Sequence, residues 1–301
     1  FIKKNFFPSK LFFIKNKISN PSLTENIFYG ENIDINKIVN NLEENFKILF
    51  FLDNYKSGLL TNTGELNIKY IGDRKDSRAH FIVEKHDINQ VIFSNAYSDK
   101  NVIYLNEYDN NFNFIRQKWK QDYDFDNHQW LVNYDNLLIV PGSKYRIHPI
   151  DDNNLKLNES NFKECKGKIR EDTIEIIDIE NGKHLKTVKI LDELFKLKKF
   201  DSKILKIDCL DPTHLTNIDV VNSLEKASHF PDGKVGDLLV SLRELSTIVL
   251  LDKDTFNIKW HLFDLTKKQF STLITNQGNI LILDNSSQSI INGTSKLYSI
   301  D

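Results

Sequence analysis

The 301-residue sequence has no methionine, two cysteines and no long apolar run. A translated chain starts with Met and this one starts at Phe1, so the true N-terminus is expected upstream, whether by fragmentation or by removal of a leader. The last residues, Ser299-Ile300-Asp301, read as the middle of a strand–turn unit, so a C-terminal truncation is expected as well. The longest apolar stretches, Ile48–Leu52 and Ile248–Leu251, fall far short of the ~20 residues that span a bilayer. Any signal peptide or anchor is therefore expected before residue 1. Cys165 and Cys209 carry no CxxC or zinc spacing. They can pair in an oxidising compartment or remain two buried thiols, and spacing alone leaves both open. Charge of one sign is also lacking: 40 basic residues face 42 acidic ones, for a net charge of −2. Beyond pairs such as Lys3-Lys4 and Lys198-Lys199 there is no basic block, so a nucleic-acid partner is not expected. No segment matches a calcium loop, and neither metal nor cofactor is expected.

What is present suits a folded chain: 40% hydrophobic and 27% charged residues lie far from the composition of disorder. The length supports a sizeable core without disulfide staples. Short runs of Ile, Leu, Val and Phe alternate with Asn, Asp and Gly turns, which reads as strands. Strands are predicted at Lys47–Leu52, Gln90–Ser94, Leu137–Val140, Thr173–Ile177, Leu238–Leu242, Thr247–Leu251 and Asn279–Leu283. Apolar residues at helical spacing predict two short helical insertions, Ile35–Phe46 and Ile190–Phe200. Residues 1–46 read as an N-terminal extension with a short helix, and 47–301 as one all-β domain.

A weak repeat emerges when the strands are stacked. One unit is an apolar strand, an Asp or Asn turn, then a second strand: GLLTNTGELNIKY, IYLNEYDNNFNFIRQKW, TIEIIDIENGKHLKTV and TIVLLDKDTFNIKW, with KLYSID opening a fifth. The turns fall at Asn62, Asp109, Asp178, Asp252 and Asp301, at steps of 47, 69, 74 and 49 residues. The shorter steps suit the about 40–50 residues of a four-stranded propeller blade, and the longer ones imply insertions. A second unit, HQWLVNYDNLLIVPG and STLITNQGNILILDN, interleaves with the first, supplying inner strands to the outer ones. A β-sandwich has similar hairpins but no repeat of this length. The predicted fold is a β-propeller, six-bladed in the full protein and incomplete here.

Three segments place histidine or arginine at strand edges: DFDNHQWL with His128, DPTHLTNI with His214, and GDLLVSLR with Arg243. In a propeller, inner-strand ends converge although far apart in sequence. Histidine and arginine there would bind a tetrahedral oxyanion, arginine through its fork of donors and histidine as donor, acid or base. Arg243 within an apolar run implies a partner anion. Taken singly, a histidine on a strand is more often a satisfied structural residue. His184, after a Gly-Lys turn, is expected to be solvated, and Trp119, Trp130 and Trp260 to be core.

DPTHLTNIDVV, GDLLVSLRELSTIVLLDKDTFNIKW and GNILILDN resemble the bacterial arylsulfotransferases that are independent of phosphoadenosine phosphosulfate. DNHQWLVNYDNLLIVPG resembles that family's first His-Asp block. The resemblance implies a β-propeller, an exported or anchored protein facing the periplasm, and transfer of a sulfuryl group from an aryl sulfate to a phenol. It implies no cofactor. It puts His128, His214 and Arg243 on the positions that hold the sulfuryl group, as catalytic and substrate-binding residues. Asn217 answers to the family's binding Asn, displaced one step by Thr216. The family's nucleophilic histidine falls on Phe270, which cannot attack sulfur. His261, nine residues earlier, is a distant substitute. The resemblance therefore also admits a propeller that binds its ligand without turning it over.

Overall fold

A computed structural model describes residues 47–51, 57–62, 66–71, 77–85, 87–95, 101–127, 129, 131–147, 168–197, 211–266, 268–284 and 296–300. The predicted helix at 35–46, the extension 1–46, both cysteines, His128 and Trp130 lie outside these residues. The chain divides into two compact units, Phe1–Asp122 and Tyr123–Asp301.

The first unit holds a three-stranded sheet of β1 (Lys47–Phe51), β2 (Ser57–Asn62) and β3 (Leu66–Ile71). A four-stranded sheet follows: β4 (Ser77–Lys85), β5 (Ile88–Asn95), β6 (Asn101–Tyr108) and β7 (Phe114–Tyr123). The second unit opens with β8 (Val132–Tyr134), β9 (Leu137–Ile147), β10 (Lys168–Asp178) and β11 (His184–Lys189). Helix α1 (Ile190–Phe195), β12 (Leu215–Val220), helix α2 (Leu224–Ala227), β13 (Leu238–Leu242), β14 (Thr247–Leu251) and β15 (Ile258–Phe263) come next. The last sheet is β16 (Gln269–Ile274), β17 (Ile280–Asp284) and β18 (Lys296–Ile300).

Among the described residues, each of the five sheets is an antiparallel meander of strands consecutive in the chain. In the second unit the first strands line up: β12 lies beside β8, and β16 beside β12. These are the blades and inner strands of a β-propeller, the architecture the repeat predicted. Predicted strands Leu238–Leu242 and Thr247–Leu251 are β13 and β14 to the residue.

Both faces of the β12–β15 sheet are covered, so β13 and β14 are buried throughout and read as unbroken apolar runs rather than alternating ones. Leu238, Val240, Leu242 and Val249 pack toward Ile139, Ile174 and Ile176 of the preceding sheet. Leu239, Ile248 and Leu250 pack toward Ile274, Ile280 and Ile282 of the following one. Trp260 joins this second core, edge-on to Phe230 at 5.4 Å. Trp119 is buried on β7. Within the described part of the predicted helix 190–200, residues 190–197, the first turn and a half is helical and buries Ile190, Leu191 and Leu194.

The repeated turn residues have one physical role. Asp109, Asp178 and Asp252 each close the third strand of a sheet and open the hairpin into the fourth. Each side chain accepts backbone N–H groups of its own turn: Asn111 and Asn113 on Asp109, Glu180 on Asp178, Asp254 and Thr255 on Asp252. These are Asx turns, in which Asp mimics the backbone. The turns then need a left-handed residue, taken by Phe112 (φ 56°), Gly182 (φ 73°) and Phe256 (φ 62°).

The backbone bond from Thr255, ahead of the bonds from Asp254 and Lys234, holds the Asp252 carboxyl well below the usual carboxylate range. Because its folded value is depressed, its stabilisation is full above the unfolded value of about 3.9 and is lost as pH falls below it. Asp252→Asn keeps the turn's acceptor but removes the charge facing Lys234 at 3.3 Å and Lys259 at 3.4 Å. The stability gap between parent and Asp252→Asn, measured by urea denaturation, is expected to be widest above about pH 5 and to shrink on acidification. A gap that stays constant with pH would contradict this account.

Candidate functional site

The described candidates gather where β12 begins and β13 ends. One antiparallel step beyond the pair Leu215–Leu242, Arg243 N–H donates to the His214 carbonyl at 3.1 Å, and Glu244 N–H to the Thr213 carbonyl at 3.2 Å. His214 and Arg243 are thus cross-strand neighbours although 29 residues apart. Arg243 Nη1 lies 3.3 Å from His214 Nε2, and His214 Nδ1 meets the Asp211 carboxylate. A guanidinium only donates, so Nε2 accepts here and the Nδ1 proton goes to Asp211. The carboxylate on one side and the guanidinium on the other select the Nδ1–H tautomer.

His214 adopts φ 47°, a left-handed conformation uncommon for a residue with a side chain. Such a conformation costs on the order of 1–3 kcal/mol and persists only where its surroundings over-determine it. Here they do. Thr213 Oγ1 donates to Asp172 Oδ2, and Leu215 N–H donates to the same oxygen at 2.8 Å. Asp172 is buried on β10 of the preceding sheet. Burial raises its pKa and the Asp211 charge adds to this, while the bonds from Thr213 and Leu215 and the charge of Arg170 oppose it. Arg170, also on β10, is therefore a second guanidinium within electrostatic reach of this corner, and its Nε donates to Ser143 Oγ at 3.0 Å.

One expectation is corrected. Arg243 is not inside a strand: β13 ends at Leu242, and Arg243 is the first residue of the turn, with its side chain 22% exposed. Its charge has a carboxylate neighbour, Glu244 Oε1 at 3.6 Å, so burial does not by itself demand an anion there. His184 is exposed, as its polar turn led one to expect, and it also has a structural partner. Its Nε2 lies 2.7 Å from Glu175 Oε2, a fully buried carboxylate that also accepts from Thr187 Oγ1 at 2.5 Å and Thr173 Oγ1 at 2.7 Å. A buried charge needs such partners, and His184 supplies one.

Asn217 sits on β12, but its Nδ2 donates to the Thr272 carbonyl of β16 at 2.7 Å, so that donor ties two sheets together rather than joining the His214 corner. The ladder passes from Leu215–Leu242 to Asn217–Ser241, leaving Thr216 as a β-bulge that bonds Ser241 Oγ at 3.0 Å. Phe270 occupies a bulge of the same kind on β16, between the pairs Gln269–Asp284 and Ser271–Leu283. The neighbouring Gln269 donates to the carbonyl of Leu242, so β16 begins against the end of β13. His261 lies on the outermost strand of its sheet, with β13 and β14 between it and β12.

In the first unit, His80 is a bulged residue of β4, buried and bonded through Nε2 to Ser94 Oγ at 2.7 Å. Burial, then the charge of Arg78, lowers its pKa well below the ordinary value and keeps it neutral. Asp211, Asp172 and Arg170 were missed by sequence reasoning. Asp211 stood inside the quoted DPTH motif, and its i,i+3 spacing from His214 was the available signal. Asp172 and Arg170 gave none, because their relation to His214 exists only between sheets. Among the described residues no three His, Cys, Asp or Glu side chains converge as a metal site.

No protein-family model matches the chain, and no curated protein matches it. Similar solved structures include a Bacteroides caccae protein of unknown function, at TM-score 0.46 and 12% identity over 85% of this chain and 74% of that one. The Dos1 propeller aligns at TM-score 0.42 and 10% identity, over 84% of this chain and 52% of its own. Kuenenia stuttgartiensis hydrazine synthase aligns at TM-score 0.46 and 11% identity, over 85% and 69%. Likenesses this distant carry no activity across to this chain, and its propeller fold rests on the strand order and the pairing of inner strands described above.

Proposed function

We propose that the His214–Arg243 corner binds the sulfate group of an aryl sulfate ester and passes the sulfuryl group to a phenol, in the manner of a periplasmic arylsulfotransferase. The observation that carries this reading is the line Asp211, His214 Nε2, Arg243 Nη1. A guanidinium binds sulfate oxygens through paired donors and stabilises charge that grows on them in transfer. When Arg243 turns from Nε2 to the sulfate oxygens, His214, with Nδ1 held by Asp211, offers the freed Nε2 lone pair as general base. The acceptor oxygen attacks sulfur, the donor's S–O bond breaks, and the donor phenolate leaves. Nε2 takes the acceptor's proton. His128, from the segment before β8, is the further sulfate-binding and catalytic residue of this reading.

Turnover of 4-nitrophenyl sulfate with phenol as acceptor tests it. His214→Ala is expected to lower the rate by about 10²–10⁴-fold, the range for losing a general base. A parent that releases no nitrophenol, even at high protein concentration, removes the enzymatic reading. Phe270 favours a second reading, binding without turnover, because a phenyl ring stands where the resemblance requires the nucleophile. Under that reading the parent binds the ester and is silent, and Phe270→His gains activity.

A further inference from the structure

We infer that Asp172 is the positioning residue of the His214 corner: from the neighbouring sheet it holds Thr213 and Leu215, the residues on either side of His214, and so fixes where the imidazole points. The inference rests on the sulfate-ester reading for one of its two readouts. One carboxylate oxygen takes both bonds, from Thr213 Oγ1 and from Leu215 N–H. The only residue between these anchors is the left-handed His214. The ladder bonds from Arg243 and Glu244 fix the same stretch from the β13 side. Each of these two sets pulls from a different sheet, and together they define the loop. Without Asp172, Thr213 and Leu215 lose this bond to the neighbouring sheet. The corner is thus assembled where two blades meet, a dependence that no motif around His214 records.

Chemistry distinguishes this role from ordinary clamping. Both donors converge on Oδ2, so asparagine, with its single Oδ1 acceptor, can keep both bonds, whereas alanine keeps neither. A comparable inter-sheet clamp away from the corner provides the control: Asp219 Oδ2 accepts Ile274 N–H at 2.8 Å.

The experiment compares full-length parent, Asp172→Asn, Asp172→Ala and Asp219→Ala. The ligand-independent readout is NMR of the His214 ring and hydrogen exchange at the Leu215 amide. The second readout is affinity for 4-nitrophenyl sulfate by calorimetry. Asp172→Ala is expected to shift the His214 ring signals, to speed Leu215 exchange, and to weaken binding by about 10–100-fold, the scale of a misplaced binding group. Asp172→Asn is expected to restore all three toward the parent. Asp219→Ala is expected to change stability without moving the His214 signals. A folded Asp172→Ala with parental His214 signals overturns the inference. If the parent does not bind the ester but the His214 signals respond as expected, the positioning role stands and the sulfate reading falls.

Discussion

Replacing Asp237 with alanine is expected to lower the stability of the chain by about 3–5 kcal/mol, the range for removing one partner of a buried ion pair. The Asp237 carboxylate is fully buried. Its Oδ2 accepts Lys259 Nζ at 2.8 Å and Lys234 N–H at 2.7 Å, and its Oδ1 accepts Lys253 N–H at 3.0 Å. Gly236, at φ 99°, turns the chain so that Asp237 enters this position just before β13. Alanine leaves Lys259, whose side chain is 12% exposed, facing a void on that side, and strands two backbone donors. Asp252, 3.4 Å from Lys259, offsets part of the loss. The urea midpoint measures the effect. Lys253→Ala is the contrast: its side chain is 41% exposed and its partner Asp254 is 61% exposed, so water screens the pair and the midpoint is expected to move little. An Asp237→Ala midpoint equal to that of Lys253→Ala would contradict the assignment.

Replacing Gln269 with leucine is expected to cost about 2–4 kcal/mol, since each buried polar group left unpaired costs about 1–3 kcal/mol. Gln269 is fully buried at the start of β16. Its Nε2 donates to the carbonyls of Leu242 at 3.1 Å and Thr247 at 2.8 Å, at the two ends of the turn that carries Arg243. Its Oε1 accepts from Thr266 Oγ1. Leucine has similar volume but strands both carbonyls and the hydroxyl. Gln269→Glu is expected to lose more at neutral pH, because an ionised carboxylate has no proton to donate. The same change should loosen the Arg243 turn and weaken binding of 4-nitrophenyl sulfate. Thermal melting and calorimetry read the two effects. A Gln269→Leu protein as stable as the parent would show that the carbonyls find other partners.

The sequence by itself determined the strands, the hairpins and their repetition. Thr247–Leu251 and Leu238–Leu242 are legible because a strand covered on both faces must be apolar at every position. Asp109, Asp178 and Asp252 are legible because a tight turn needs a short acceptor side chain in place of a neighbouring backbone. His214 and Arg243 stood out as polar residues at the ends of such strands, and antiparallel pairing within one sheet was enough to bring them together.

The tertiary structure alone decided what surrounds them. Arg243 read as buried because its neighbours are apolar, but the strand stops one residue earlier and turns it toward Glu244 and solvent. Asn217 read as a ligand, but sheet stacking spends its amide donor on the Thr272 carbonyl. His184 read as solvated because its turn is polar, and it is exposed, but only the sheet reveals that its Nε2 lies 2.7 Å from the buried carboxylate of Glu175 on the adjacent strand. Asp172 and Gln269 set the His214 corner through bonds that cross from one sheet to the next. Local pattern reflects what each strand buries. It carries no signal for which residue of another blade meets its ends, because that is fixed only when the blades pack.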